Sequence, residues 1–334
     1  MAINNKFINT YTTIITESHL THAIALFESI LQHSKLPFEF HSFFAEENLN
    51  IKTIEKLRTL HPFFIPILMD ELNGMQFDQI YEKYYQKYRD EFRWSMKPVL
   101  INHLLEKNIN RRVIYLDSDL YFFNNPDFLF DELGKYKVLL SPHWRCSLDP
   151  KLDWFNFVHN FKHGIYNGGF IGSTIEGRDI MRYWANLCLT ACEKKLENGF
   201  HDDQKYLDIF HSYFEGVGVL RHKGCNVSNW NRVECKRMSD ANGNVSINGE
   251  YPIIFIHFTE GTNTEIWKGH DVLLKPFFEA YAKHLKQIDS NIDLIMQTDA
   301  ILASQNKVLP QIEEVKISKL KKLVKRLFNI SIFI

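Results

Sequence analysis

Residues 111–119, RRVIYLDSD, constrain this chain more than any other stretch. Val113, Ile114, Tyr115 and Leu116 make an apolar run, and two carboxylates, Asp117 and Asp119, close it. The run predicts a buried strand, and ligands of open α/β sheets bind beyond the carboxyl ends of such strands. Residues two apart on an extended chain point the same way, so Asp117 and Asp119 can aim at one point. Neighbouring carboxylates repel unless a cation sits between them. Hard oxygen ligands suit Mg²⁺ or Mn²⁺, and such an ion can bridge a diphosphate and neutralise it as it leaves. A solvated turn that happens to carry acids is the plainer reading of the same residues.

The stretches around this one set the fold class. Residues 6–16 read as a strand, 21–34 as a helix, 38–47 as a strand and 51–60 as a short helix. Residues 63–70 read as a third strand that Pro66 would confine to an edge. Residues 78–106 are helical, and the strand 111–119 follows. This alternation predicts an α/β fold: a Rossmann-like mixed, mainly parallel sheet flanked by helices. Beyond residue 120 the pattern loosens. Strands are expected at 137–142, at 165–174 (interrupted by Gly168 and Gly169) and at 251–260, with a helix at 178–196 and irregular Gly/Asn-rich chain over 215–250. One domain is expected over 1–275, divided into a nucleotide-binding half (1–120) and an acceptor and catalytic half (121–275). A C-terminal helical extension would occupy 276–334.

Composition narrows the function. With 334 residues, 45% hydrophobic and 24% charged, the chain can bury a sizeable core. Thirty-nine basic residues against 40 acidic ones leave a net charge of -1, which argues against a nucleic-acid partner. The five cysteines, Cys146, Cys188, Cys192, Cys225 and Cys235, are odd in number and widely spread, so buried free thiols are expected. No signal-peptide pattern opens the sequence and no apolar run of about 18 residues occurs, so a cytoplasmic location is expected. Two glycosylation sequons, at Asn226 and Asn244, then stay formal.

Several motifs recur in an order that resembles the GT-A-fold glycosyltransferases, and within them the glycogenin-like and bacterial lipopolysaccharide galactosyltransferase group. The resemblance spans roughly residues 6–270. IYLDSDLYFFNNPDFLF is similar to that group's Asp-x-Asp segment, and TYTTIITESHLTHAIALFESI to its nucleotide-binding start. RWSMKPVLI carries Lys97 where the group has a substrate-binding lysine or arginine. Tyr166-Asn167-Gly168-Gly169-Phe170 resembles an Asn-Ala-Gly-Phe segment, Asp203-Gln204 a catalytic Asp-Gln segment, and Ile256-His257-Phe258 a His-Phe segment that supplies a third metal ligand. The resemblance implies Mn²⁺ or Mg²⁺ held by Asp117, Asp119 and His257. It implies a nucleotide-sugar donor, with UDP as the family default, bound by Thr12, Thr13, Lys97, Ser118, Asn167, Gly168, Gly169 and Lys268. Asp203 and Gln204 would carry the catalysis, with retention at the anomeric carbon. Two departures stand out. Thr259-Glu260-Gly261 has one residue more before its glycine than the family pattern, and the second glycine of Asn167-Gly168-Gly169 replaces a more usual small-residue pattern, a change expected to matter little.

Each of these residues has a structural alternative. His257, among Ile and Phe, reads by itself as a core histidine, and its pairing with Asp117 and Asp119 rests on the resemblance. Asp202 and Asp203 can cap the following helix. Lys97 can be a solvated helix lysine, and Gly168-Gly169 a bulge. The tryptophans Trp94, Trp144, Trp154, Trp184, Trp230 and Trp267 are expected mostly in the core, with a sugar-stacking ring among them.

Two rival functions share some of these features. A haloacid-dehalogenase-like phosphatase also places Asp-x-Asp after an apolar strand, but on the first strand and with a different residue at Tyr121. A catalytically inactive nucleotide-sugar-binding protein would keep the fold alone. The tail, KISKLKKLVKRLFNISIFI (316–334), joins six cations to an apolar face, which predicts peripheral contact with an anionic inner membrane. A glycan or lipid-linked glycan acceptor for surface polysaccharide or lipopolysaccharide would suit that position.

Overall fold

A computed structural model describes residues 7–146 and 149–304. The chain divides into two compact units, Met1–Thr262 and Asn263–Ile334. The tail at 316–334 lies outside the described residues.

The first unit opens with β1 (Ile8–Ile15), α1 (Leu20–His33), β2 (Glu39–Phe44), α2 (Ile51–Leu60) and β3 (Phe64–Ile67). Two helices, α3 (Met75–Tyr84) and α4 (Arg89–Lys107), lead to β4 (Arg111–Leu116) and the short β5 (Leu120–Phe122). After α5 (Phe128–Leu133) come β6 (Val138–Pro142), α6 (Trp154–Lys162), β7 (Tyr166–Ser173) and α7 (Arg178–Thr190). The short α8 (Phe210–Tyr213) and β8 (Val217–Val219) follow, then a small antiparallel sheet of β9 (Arg237–Ser239), β10 (Val245–Ile247) and β11 (Tyr251–Pro252), and finally β12 (Phe255–His257). Helix α9 (Glu260–Trp267) crosses the unit boundary, and α10 (Lys275–Ile288) belongs to the second unit.

The main sheet has seven strands in the order β3-β2-β1-β4-β7-β6-β8. Pairings β1/β2, β2/β3, β1/β4 and β6/β8 are parallel, while β7 runs antiparallel to both β4 and β6. This is the expected mixed, mostly parallel sheet. Pro66 sits in β3 at the sheet edge, where its missing N–H disrupts no inner ladder. The core joins β4, α4, α7 and their neighbours around Met96, Leu100, Leu104, Val113, Ile171, Met181 and Trp184, each essentially without solvent contact.

Four expectations need correction. The helical stretch 78–106 is two helices, broken between Tyr84 and Arg89. Helix α7 stops at Thr190 because the Tyr84 hydroxyl enters its ladder: it donates to the Cys188 carbonyl (2.8 Å) and accepts from the Cys192 N–H (3.2 Å). Residues 251–260 are two short strands and the start of a helix, not one strand. Of the six tryptophans only Trp184 is fully buried, and Trp154 is 65% exposed. All five cysteines are buried and free, as expected.

Candidate active site

The carboxyl end of β4 opens the site. Asp117, Ser118 and Asp119 leave the strand in a tight turn, and the chain re-enters extended structure as β5. Antiparallel pairing then assembles the rest. The β4/β7 register sets Leu116 against Phe170, so Asn167, Gly168 and Gly169 lie just past the strand end, and the Asp117 N–H donates to the Gly169 carbonyl (3.0 Å). The β5/β12 register sets Leu120 against His257, which brings that imidazole beside Asp119.

The outcome is one cluster. The His257 Nε2 lies 3.0 Å from the Asp119 Oδ1 and 4.0 Å from the Asp117 Oδ2. One ligand atom from each of Asp117, Asp119 and His257 falls within a 4.8 Å span. Two carboxylates with one imidazole suit a divalent cation such as Mn²⁺ or Mg²⁺. Burial works against a charge on His257, but Asp119 and then Asp117 outweigh it and hold the imidazole above its usual range. Burial would raise the Asp119 carboxyl, but the neighbouring imidazole brings it below its usual value.

Space for the cluster comes from a missing side chain. A Cβ on Gly169 would stand 2.6 Å from the His257 Cε1 and 2.8 Å from the Asp117 Oδ2. Gly169 does not have a left-handed backbone, so the glycine is needed for room. Gly168 is also tight: a Cβ there would meet the Asp203 Oδ2 and Gln204 Cβ at 3.0 Å and the Lys97 Nζ at 3.3 Å. The two glycines mark no break, for β7 runs through both.

Lys97 is not a solvated helix lysine. It is 5% exposed on α4, donates to the Gly168 carbonyl (2.9 Å), and lies 3.4 Å from the Asp117 Oδ1 and 3.3 Å from the Asp203 Oδ2. Its burial opposes the charge, but Asp117, Asp203 and Asp202 together hold the ammonium above its usual range. Asp203 is 1% exposed, and its Oδ2 has no well-formed hydrogen bond. Burial pushes this carboxyl up to about 7, against the pull of Lys97. The capping role falls to Asp202, whose Oδ1 accepts from the Gln204 N–H (3.1 Å), while the Asp203 side chain caps nothing. Gln204 clamps the site: its Oε1 accepts from the Gly168 N–H (3.1 Å) and its Nε2 donates to the His163 carbonyl (2.9 Å).

A cleft of about 250 Å³ is bordered by Asp117, Asp119, Asn167, Gly168, Gly169, Asp203, Gln204, Lys97 and His257, with Trp94, Lys194 and Trp230 on its rim. Thr12 and Thr13 do not border it. Both are buried inside β1, and the Thr12 hydroxyl is spent on the His41 carbonyl (2.9 Å). The carboxyl end of that strand, Thr16 to Ser18, instead borders a second cavity of about 570 Å³ with Glu46, Asn48, Tyr85, Arg89 and Arg93. Ser118 is half-buried between the two acids. Lys268 follows α9 in the second unit.

Asn226 escaped the sequence reading. It lies in the stretch taken as irregular, and its only signal was a sequon. Its side chain is fully buried, with a left-handed backbone (φ 56°). Its Nδ2 donates to the Asn167 Oδ1 (3.1 Å) and the Ser141 Oγ (3.3 Å), which leaves its Oδ1 facing the His257 Nδ1 at 3.2 Å. An acceptor there keeps the proton on Nδ1 and turns Nε2 toward the carboxylates, as outer partners of metal-binding histidines do.

Comparison with known proteins bears on the fold. No protein-family model matches the chain. Two Bacillus subtilis (strain 168) proteins are similar in sequence. The uncharacterized protein YfnF is 27% identical over 252 residues, 75% of this chain and 80% of that one. The uncharacterized protein YfnD is 24% identical over 256 residues, 75% of this chain and 76% of that one. The galactosyltransferase LgtC, solved with donor and acceptor sugar analogues, has a TM-score of 0.54 at 11% identity, covering 84% of this chain and 96% of that one. The bifunctional glycosyltransferase WbbM gives 0.51 at 12% identity over 88% of this chain and 52% of that one. Mouse xyloside xylosyltransferase 1 gives 0.50 at 15% over 77% and 98%. The chain has the GT-A glycosyltransferase fold.

Proposed function

We propose that the protein is a divalent-cation-dependent glycosyltransferase that moves a hexose from a nucleotide-diphosphate sugar, UDP by family default, to a glycan or lipid-linked glycan, with retention. One observation carries this reading. In a GT-A fold, Asp117, Asp119 and His257 converge beside a buried Lys97–Asp203 pair at the carboxyl edge of the sheet. The phosphatase alternative wants its Asp-x-Asp on the first strand, whereas here it follows the fourth.

In this reading Asp117, Asp119 and the His257 Nε2 hold Mn²⁺ or Mg²⁺. When bound, such an ion offsets negative charge on the diphosphate and on the leaving nucleotide. The cavity beyond β1 and β2 takes the nucleoside, with Arg89, Arg93 and Tyr85 as its contacts, in place of the expected Thr12 and Thr13. Ser118, Asn167, Gly168 and Gly169 line the path of the sugar, and Lys268 is assigned to the phosphate on the resemblance alone. Asp203, held by Lys97 and by the Trp184 Nε1–H on its carbonyl (2.9 Å), presents the carboxylate that steadies positive charge at the anomeric carbon. Gln204 fixes β7 behind it. Among the described residues no helix is long and apolar enough to cross a membrane, and the basic tail supports peripheral attachment near a membrane-bound acceptor.

The test is a screen of nucleotide sugars for Mn²⁺-dependent hydrolysis and for transfer to glycan acceptors. Release of nucleotide from one donor, abolished by EDTA, is the expected result. No turnover of any donor with either metal would leave the inactive-binder reading.

A further inference from the structure

Arg145 follows β6 and is only 9% exposed. Its Nη1 donates to the Asn156 Oδ1 (2.7 Å), and its Nε has no acceptor. It forms no ion pair with any described carboxylate. Asp153 acts on it through space, and its Oδ1 takes the Asn156 N–H at 3.0 Å. A buried guanidinium facing one neutral oxygen is costly, and proteins rarely leave such a charge uncompensated. Burial pulls Arg145 down to about 10, with Asp153 opposing, so it stays charged at neutral pH.

The surroundings reach the cleft. The same Asn156 amide donates to the carbonyl of Trp230, a residue on the cleft rim. The Trp230 Nε1 is a second buried N–H without an acceptor. The ring of His143 meets Trp230 edge-on at 5.4 Å, and its Nε2 faces the Asn167 amide at 3.3 Å. Burial, followed by the field of Arg145, holds His143 well below its usual range, so it adds no charge. This flank therefore has one fixed cation and two buried N–H donors without an acceptor among the described residues.

We propose that Arg145, linked through Asn156 to the cleft-lining Trp230, is a binding site for an oxyanion on the acceptor, a phosphate ester or a sugar carboxylate. The inference rests on the transferase reading, which assigns the donor diphosphate to the Asp117–Asp119–His257 site and leaves Arg145 to a different anion. The planar guanidinium fork matches two oxygens of either group, and binding would neutralise the buried charge.

The experiment titrates methyl phosphate and glucuronate into the full chain by calorimetry, with Mn²⁺ and UDP present to fill the donor site. Saturable binding of one of them is expected, about tenfold to a hundredfold weaker in Arg145→Gln. The arm that binds names the source of the anion. Arg145→Lys, which keeps the charge and loses the fork, is expected in between and serves if Arg145→Gln does not fold. Absence of saturable binding of either anion by the wild-type chain, or equal binding by the variants, overturns the proposal. UDP affinity measured in the same titrations reports on the donor site, so failure of the transferase reading shows separately.

Discussion

Gly169→Ala puts the geometry of the cation cluster to a direct test. The added carbon would lie 2.6 Å from the His257 Cε1, 2.8 Å from the Asp117 Oδ2 and 2.8 Å from the Asn167 Oδ1. Carbon contacts are normally about 3.5–4.0 Å, so the imidazole must move by roughly 1 Å. Yielding is difficult, because His257 is held by its strand pairing and by Asn226, and the Gly169 N–H and carbonyl are tied to Asn167 and Asp117. Ligand distances to such metals tolerate about 0.2 Å. A fall in Mn²⁺ affinity of about a hundredfold is therefore expected, since disturbing outer partners alone costs about tenfold to a hundredfold. Overpacking should cost about 1–3 kcal/mol of stability, a Tm decrease of roughly 2–4 °C per kcal/mol for a chain of this size. Gly199→Ala is the control. Its φ is +80° with open space around its Cβ, so backbone strain of about 1 kcal/mol should appear with metal affinity unchanged. Calorimetric or EPR titration with Mn²⁺, beside a melting curve, reads both quantities. Wild-type affinity in Gly169→Ala would refute the claim that this glycine makes room for the ligands.

Four further outcomes are expected. Asp119→Ala should lose Mn²⁺ affinity by at least about tenfold while its Tm barely moves, because a third of that side chain faces the cleft; full activity in EDTA would remove the metal reading. Asp203→Asn should lower kcat by about 10²–10³ with little change in donor affinity, since charge stabilisation belongs to the transition state, and Lys97 keeps Asp117 as a partner; unchanged kcat would rule the role out. Asn226→Gly keeps the left-handed backbone but removes the His257 acceptor, so Mn²⁺ should bind about tenfold weaker or worse; equal affinity would show that the imidazole needs no such support. Truncation after Val315 should abolish sedimentation with anionic liposomes at low salt, and undiminished sedimentation of the shortened chain would exclude the tail as the anchor.

How far the sequence disclosed this molecule depends on the range over which each feature is decided. Local patterns held: Pro66 marked an edge strand, and the apolar run before Asp117 became the strand that carries the acids. Where the structure departs, a distant side chain intervenes. Nothing in residues 178–196 reveals that the Tyr84 hydroxyl, about a hundred residues away, will take over the Cys188–Cys192 hydrogen bond and end the helix. The glycines of β7 looked like a break because sequence cannot tell a glycine needed for backbone freedom from one needed for space, and the space is set by His257 and Lys97 on other elements.

The site itself follows the same rule, which explains why family resemblance added what residue chemistry could not. Asp117 and Asp119 are two apart, so their convergence could be argued from backbone geometry alone. His257 arrives through the pairing of β5 with β12, and Lys97 through the packing of α4 on β4 and β1, from which its side chain reaches the Gly168 carbonyl. Both are long-range events that no periodicity encodes, and both residues carry a structural reading beside the functional one. Asn226 had neither a neighbouring acid nor a matching motif to mark it, yet its contacts to Asn167 and His257 connect β7 with the carboxylate–imidazole cluster. A residue of this kind acts through the direction of two hydrogen bonds, and that direction exists only once the fold has buried it.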